Sequence, residues 1–354
     1  MVSKRAAKLV AIGVIAAGTL VAESKKEFHF SVGPRAGVSV MNPYGSISVK
    51  PSLNNTVVVN AFLHSDKVEV DNNQNGNRVD IQSHLLAGAD ADSGRVDYEV
   101  LVPADASITL HSNTGSLRAE KLHGDVSLEG PGAAVDVRDV SDAHVHVKTM
   151  NGSVNLDNIQ NGHVEVDSLS GEVTLRGVTG PLVQVVSTSG RINYIGDFGN
   201  SGEYRLTSHS GDIEATIPEW TSADVSARSV RGEVHDDIPL QPKNHTWFPL
   251  DKGRAFAGTM GRVAVSSTVV LRSFSGQIHL RKRSENNKEN EAKTGSAQTV
   301  CSKPGEDNGA WCAWPQSLEA RLSVRDTGRN PGRVHGRGQE QCGPGLGRTI
   351  GLDV

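Results

Sequence analysis

The sequence predicts an all-β chain: a single-stranded β-solenoid, parallel-β-helix-like, of about 19–21 residues per repeat, with a β N-terminal part and a disordered C-terminal tail. Three observations predict it. A short phrase recurs between Ile108 and Ile238: apolar, any, apolar, three or four small polar residues, glycine, any, apolar, any, apolar. Its copies follow at an almost fixed step. The composition, with 38 glycines and 4% aromatic residues, suits thin aliphatic layers better than a core built on Phe, Trp and Tyr.

The regular copies are anchored on Gly115, Gly152, Gly171, Gly190 and Gly211, with a looser one on Gly232. Gly45 begins an isolated first copy, and Gly276, in Leu271–Leu280, closes the series after an insertion. One irregular copy fits best with Ala133 in the glycine slot. The anchors 115, 133, 152, 171, 190, 211 and 232 then step by 18, 19, 19, 19, 21 and 21 residues. Glycine suits a corner where a Cβ would hinder the backbone.

Alignment on the slot shows which side chains stack. Five residues before it stand Leu110, Leu128, Val147, Val166 and Val185; seven before, Ile108, Val126, Val145, Val164 and Val183. Two after stand Leu117, Val135, Val154, Val173, Ile192 and Ile213. Strand alternation turns these inward and the polar residues between them outward. Each copy thus supplies two short strands joined by a polar corner. Two lone strands cannot bury their apolar face; the next copy, stacked about 4.8 Å away, buries both and pairs the backbone. On the outer face His146, Glu165, Gln184 and Arg205 follow one another, and Asp167 follows Lys148. A β-sandwich is the competing fold, but its turns have no reason to repeat one phrase at a constant step.

Taken in order, residues 1–22 read as a secretory signal or a membrane anchor. Lys4, Arg5 and Lys8 precede the apolar run Leu9–Ala22, which is short for a membrane span of about 20 residues. Residues 23–107 form the N-terminal β part, with period-two patterning at 56–62, 67–71, 78–82 and 96–102, a polar hairpin loop over 71–77 and a longer loop over 85–94. No stretch after residue 22 sustains a helical stripe. The solenoid repeats occupy 108–283, interrupted by an insertion at 236–258. The insertion carries Trp247 and Phe248 and reads either as a cap on the open end of the solenoid or as a candidate binding loop. Residues 284–354 lose the alternation, begin with a charged linker and end in a Gly/Arg/Pro-rich stretch that resembles a shifted reading frame.

The chemistry expected is sparse. A phosphate loop, a His-Glu-x-x-His zinc motif and a Gly-x-Ser-x-Gly nucleophile elbow are all absent. The net charge of −4 gives no reason to expect nucleic acid. The three cysteines, Cys301, Cys312 and Cys342, lie in the tail, at spacings that suit neither a metal site nor a disulfide set. His144, His146, His163 and Glu165 share one strand face and could approach zinc, but a flat sheet closes a tetrahedron poorly. Asp136, Asp139 and Asp142 are the densest acids and would be the carboxylates of a polysaccharide-active enzyme. The expectation is no catalytic, cofactor-binding or metal site, and no cofactor.

The run Tyr98–Leu110, with its Val-Pro step, leading into Asn113-Thr-Gly-Ser-Leu117, resembles the putative-adhesin β-strand-repeat family, a bacterial domain of unknown function. Gly276-Gln-Ile-His-Leu280 is similar to the family's ending, and the resemblance covers about residues 28–283. It implies a β-solenoid at the envelope or surface and carries over no catalytic residue. The function expected is a non-enzymatic exported β-solenoid, periplasmic or at the cell surface, acting as an interaction module for an envelope or surface ligand, protein or polysaccharide. It would meet a membrane only through an uncleaved N-terminal segment. A carbohydrate-active β-helix enzyme and a self-assembling envelope scaffold are the alternatives.

Overall fold

The computed structural model describes residues 24–242, 253–261 and 267–283. The chain divides into two units, 1–297 and 298–354, and the second lies outside the described residues. So do residues 1–22, the tail from residue 284, and Trp247 and Phe248.

The described residues contain strands and no helix. Each copy of the repeat gives two of them. The strand before the anchor joins a 13-stranded sheet, here the first sheet, and the strand after it joins a 12-stranded second sheet. In the Gly171 coil these are His163–Ser168 and Val173–Arg176. The cause is the alternation of β-branched residues: in His163–Ser168, Val164 and Val166 are buried while Asp167 is exposed. The inward side chains of both sheets merge into one core of Val, Ile, Leu and Ala. Each fully buried aliphatic side chain contributes about 1.5–3 kcal/mol.

Successive coils pair in parallel and in register. Val147, Val166, Val185 and Leu206 oppose one another in turn across the first sheet. Val154, Val173, Ile192 and Ile213 do so across the second. The Gly45 copy is part of the same stack: Val40 opposes Leu110, and Ile47 opposes Leu117.

The order of the coils departs from the order of the sequence. The repeats alone place the Gly232 copy on the Gly211 copy and let the Gly276 copy close the stack. In the structure the Gly276 coil lies between the other two. Leu206 opposes Leu271, and Leu271 opposes Ala227. In the second sheet Ile213 opposes Ile278, and Ile278 opposes Val234. A coil inside the stack is covered on two sides and a terminal coil on one. The Gly276 copy brings Val269, Leu271, Ile278 and Leu280 to the interior, whereas the Gly232 copy offers Ala223, Val225 and Ala227 and a three-residue second strand. The bulkier copy takes the inner place.

Antiparallel strands close the first sheet at both ends and the second sheet at one; at its other end the second sheet stops on the short parallel strand Val234–Asp236. Ala255–Met260, from the insertion, pairs antiparallel with Ala223–Ser229, and Leu240 and Phe256 pack on the core edge. At the other end Ser24–Ser31 pairs antiparallel with Thr56–Leu63, and Val68–Asn75 with Arg78–Leu85. The polar stretch 71–77 is mostly strand, with its turn at Gly76-Asn77. The edge strand Ser24–Ser31 carries Lys25, Lys26 and Glu27, charges that discourage pairing with another chain.

Candidate functional site

The corner between the two strands of each coil is the most regular feature of the molecule. At Gly171 an added Cβ would run into the carbonyl oxygen of Gly152 in the coil before it. The same holds from Gly152 on Ala133 to Gly276 on Gly211 and Gly232 on Gly276. Close approach of stacked backbones, rather than unusual dihedrals, therefore demands glycine along most of the rod. Gly45 and Gly115, at φ 116° and 100°, need both.

Three residues before every anchor except Gly45 and Ala133, which have Asn42 and Gly130 there, sits a buried hydroxyl. Ser112, Thr149, Ser168, Ser187, Ser208, Ser273 and Ser229 all point inward. Sequence reading assigned these small polar residues to the solvent side, and that is corrected here. The physical reason is backbone satisfaction: a tight corner leaves peptide groups without strand partners. Thr149 Oγ1 donates to the Gly130 carbonyl at 2.9 Å and accepts from the Gly152 amide at 3.1 Å. Ser168 and Ser187 donate to the carbonyls of Gly171 and Gly190, each at 3.0 Å. Ser229 joins coils by donating to the Gly276 carbonyl at 2.8 Å. The signal was present in the sequence, since a Ser or Thr recurs three before nearly every anchor.

The residue after each hydroxyl is exposed, and here an outward ridge forms. Backbone hydrogen bonds fix its order: Leu169 N–H donates to Thr149, Thr188 to Ser168, His209 to Ser187, Phe274 to Ser208 and Val230 to Ser273. Met150, Leu169, Thr188, His209, Phe274 and Val230 therefore follow one another up one edge, all solvent-exposed. The His209 and Phe274 rings stack at 4.9 Å with 4° between planes. The Arg231 guanidinium lies 4.9 Å from the Phe274 centroid. The late coil places Phe274 in this row, so the ridge owes its continuity to the non-sequential order.

The sequence candidates are brought into contact along one strand face but form no closed site. His144 and His163 are register partners with ring centroids 4.8 Å apart. Glu165 lies 3.6 Å from His146 Nδ1 and 3.4 Å from His163 Nε2. All four side chains stand on a partly exposed, flat strand face, and among the described residues no group of three or more His, Cys, Asp or Glu could hold a metal ion. Asp136, Asp139 and Asp142 do not converge either. Each accepts a hydrogen bond from the asparagine 19 residues on: Asn155 at 3.2 Å, Asn158 at 2.7 Å and Asn161 at 2.6 Å. Asp139, Asp142, Asn158 and Asn161 all have positive φ, which explains Asp and Asn there. The most engaged carboxylate is Asp97. Burial pushes its pKa up, but the Ser46 amide, His64 and Arg95 outweigh this and hold it below the usual carboxylate range. It ties Ser46, beside the first corner, to the neighbouring strand and is structural.

Comparison with known proteins adds the family. A putative cell adhesion protein from Clostridium sporogenes is 12% identical over 73% of this chain and 100% of its own, with a TM-score of 0.26. A putative adhesin from Bacteroides fragilis is 11% identical over 73% of this chain and 98% of its own, with a TM-score of 0.39. No curated protein matches. The family model described as Toastrack DUF4097 matches residues 40–247, more than half of the 354. The chain belongs to the Toastrack DUF4097 family.

Proposed function

We propose that this chain is a non-enzymatic interaction module of the cell envelope, exported to the periplasm or the cell surface, where its rod presents a ridge to an envelope or surface ligand. The observation that carries the reading is the ridge from Met150 to Val230. Single exposed apolar residues are ordinary, but Met150 beside Leu169 and His209, Phe274 and Val230 in successive coils, with Thr188 between the two groups, mark a contact surface. The adhesin descriptions of the two similar structures agree with this reading without carrying it. The asparagine partners of Asp139 and Asp142 and the charged edge strand Ser24–Ser31 favour this reading over a carbohydrate-active enzyme or a self-assembling scaffold.

An epitope placed after Gly88, in an exposed turn with open space around it, reports location by cell fractionation. The reading expects the tag in envelope fractions, and a tag confined to the cytoplasm contradicts it. Retention of the purified protein on envelope preparations tests the ridge. Leu169→Glu with Phe274→Glu places two charges on the ridge and is expected to weaken retention about tenfold or more, a loss of about 1.4 kcal/mol, with the urea midpoint unchanged. Undiminished retention assigns the contact to another surface.

A further inference from the structure

The step from Gly190 to Gly211 is two residues longer than the three 19-residue steps before it. The extra length falls in the turn that returns from Ile192–Ile195 to Glu203–Ser208. This longer turn, residues 196–202, overhangs the shorter turns of the two preceding coils and leaves a cleft of about 330 Å³. Its volume is within the range of small-molecule sites, about 300–1,000 Å³.

The lining is uncharged. Gln160 and Asn161 come from one coil, Thr179 from the next, and Asn200, Ser201 and Tyr204 from the overhanging one. With no acidic or basic side chain in its walls, the cleft offers nothing to neutralise a phosphate, a carboxylate or an ammonium group. Gln160 already donates to Asn158 and the Gly177 carbonyl and accepts from Thr179, and Asn161 donates to Asp142, so the polar groups left to a ligand are the Asn161 carbonyl, Asn200 and Ser201, which donate and accept side by side as vicinal sugar hydroxyls do. Gly199 and Gly202 bring bare backbone to the wall.

A second observation points to a ligand. Tyr204 is fully buried and lines the cleft, yet its hydroxyl makes no hydrogen bond. The Gly180 backbone and the Tyr194 hydroxyl lie near it, outside the geometry of a full hydrogen bond. Tyr194, by contrast, has the carbonyls of Val178 and Asp197 at 2.9 and 2.7 Å to share its one hydroxyl proton. Burial pushes the Tyr204 hydroxyl up to about 12, so it stays protonated and able to donate. The Gly199 backbone passes beside it: a Cβ added there would stand 3.6 Å from Oη. A phenylalanine would serve packing alone, because the Tyr204 ring already packs against Phe198 and Tyr194 with centroids 4.9 and 5.8 Å away. Only the loose contacts with Gly180 and Tyr194 engage the hydroxyl.

We propose that this cleft binds a neutral saccharide unit, with Asn161, Asn200 and Ser201 at the rim on its hydroxyl groups and Tyr204 Oη, which a small shift of the 196–202 turn would uncover, as a donor at the base. The inference rests on the reading of the chain as a surface-interaction module, and it names the chemistry of one ligand. Calorimetric titration with maltotriose, mannotriose, triacetylchitotriose and trigalacturonate tests it. At least one neutral sugar should bind and trigalacturonate should not. Ser201→Arg, on the exposed turn, should abolish binding by filling the cleft. Tyr204→Phe should weaken it about tenfold while the protein melts no lower than the parent. Absence of binding by all three neutral sugars overturns the proposal, as does binding that neither variant alters or a preference for trigalacturonate. Envelope retention of the Ser201→Arg protein, measured in parallel, separates the two readings. Retention without sugar binding by the parent removes the cleft and leaves the ridge standing.

Discussion

Replacing Val166 with aspartate is expected to unfold the middle coils, while Asp167→Ala melts like the parent. Val166 lies between Val147 and Val185 in the first sheet and is buried at 1% exposure. Its neighbours on the inward face are aliphatic. A carboxylate there has no cation to pair with, and an uncompensated buried charge costs about 3–5 kcal/mol unless the group takes up a proton. Asp167, one residue on, points to solvent between Lys148 and Val186. Losing an exposed charge beside a lysine changes stability by about 1 kcal/mol at most. Since each coil is stabilised by the next, damage at a central coil should divide one urea transition into two. If Asp167→Ala proves the more damaging change, the strand register is wrong by one residue and every inward assignment reverses with it.

Gly171→Ala should be almost as severe, although it adds a single methyl group. The new Cβ runs into the carbonyl oxygen of Gly152, a backbone atom held by stacking on both sides. Relief requires the corner to open, and overpacking of this kind costs about 1–3 kcal/mol or more. The chain itself carries alanine in one slot, with a glycine three residues earlier. At Ala133 the position three residues earlier holds Gly130 instead of a serine or threonine, and a Cβ on Gly130 would stand 2.8 Å from the Ala133 Cβ. The irregular copy has exchanged the two, with alanine at the anchor and glycine in the hydroxyl position. Ser168→Gly combined with Gly171→Ala reproduces that arrangement. The double variant should recover part of the stability lost by Gly171→Ala, a positive coupling that urea melts of the four proteins would measure. Strict additivity of the two losses would remove this account of the Ala133 coil.

What the sequence made legible follows from period and chemistry. Val147, Val154, Val166 and Val173 are aliphatic at fixed offsets from an anchor, and offset alone assigns their face. The hydroxyls of Thr149 and Ser168 were harder, because a small polar residue satisfies a corner carbonyl or water equally well and sequence does not show which. The ridge escaped notice for a related reason. Met150, Leu169, Thr188, His209 and Phe274 share a position but no chemistry, so only stacking reveals them as one surface. The cleft was half visible: the two extra residues before Gly211 were countable, but not which of the two turns they lengthen. Coil order was hidden altogether. Repeat spacing records how far apart copies lie along the chain and is silent on a late copy that returns into the stack.

That order composes the ridge, and cysteine pairing tests it most directly. In a background with Cys301, Cys312 and Cys342 changed to serine, Thr207→Cys is combined with Arg272→Cys in one protein and with Arg228→Cys in another. Thr207 and Arg272 are adjacent register partners, and Arg272 stands between Thr207 and Arg228. Neighbouring strands lie about 4.8 Å apart and a disulfide reaches about 7 Å between Cα atoms, so two strand spacings are beyond it. Under mild oxidation, with peptide mapping by mass spectrometry, the account predicts a disulfide between positions 207 and 272 and none between 207 and 228. A disulfide between 207 and 228, with none between 207 and 272, would put the coils in sequence order and contradict it.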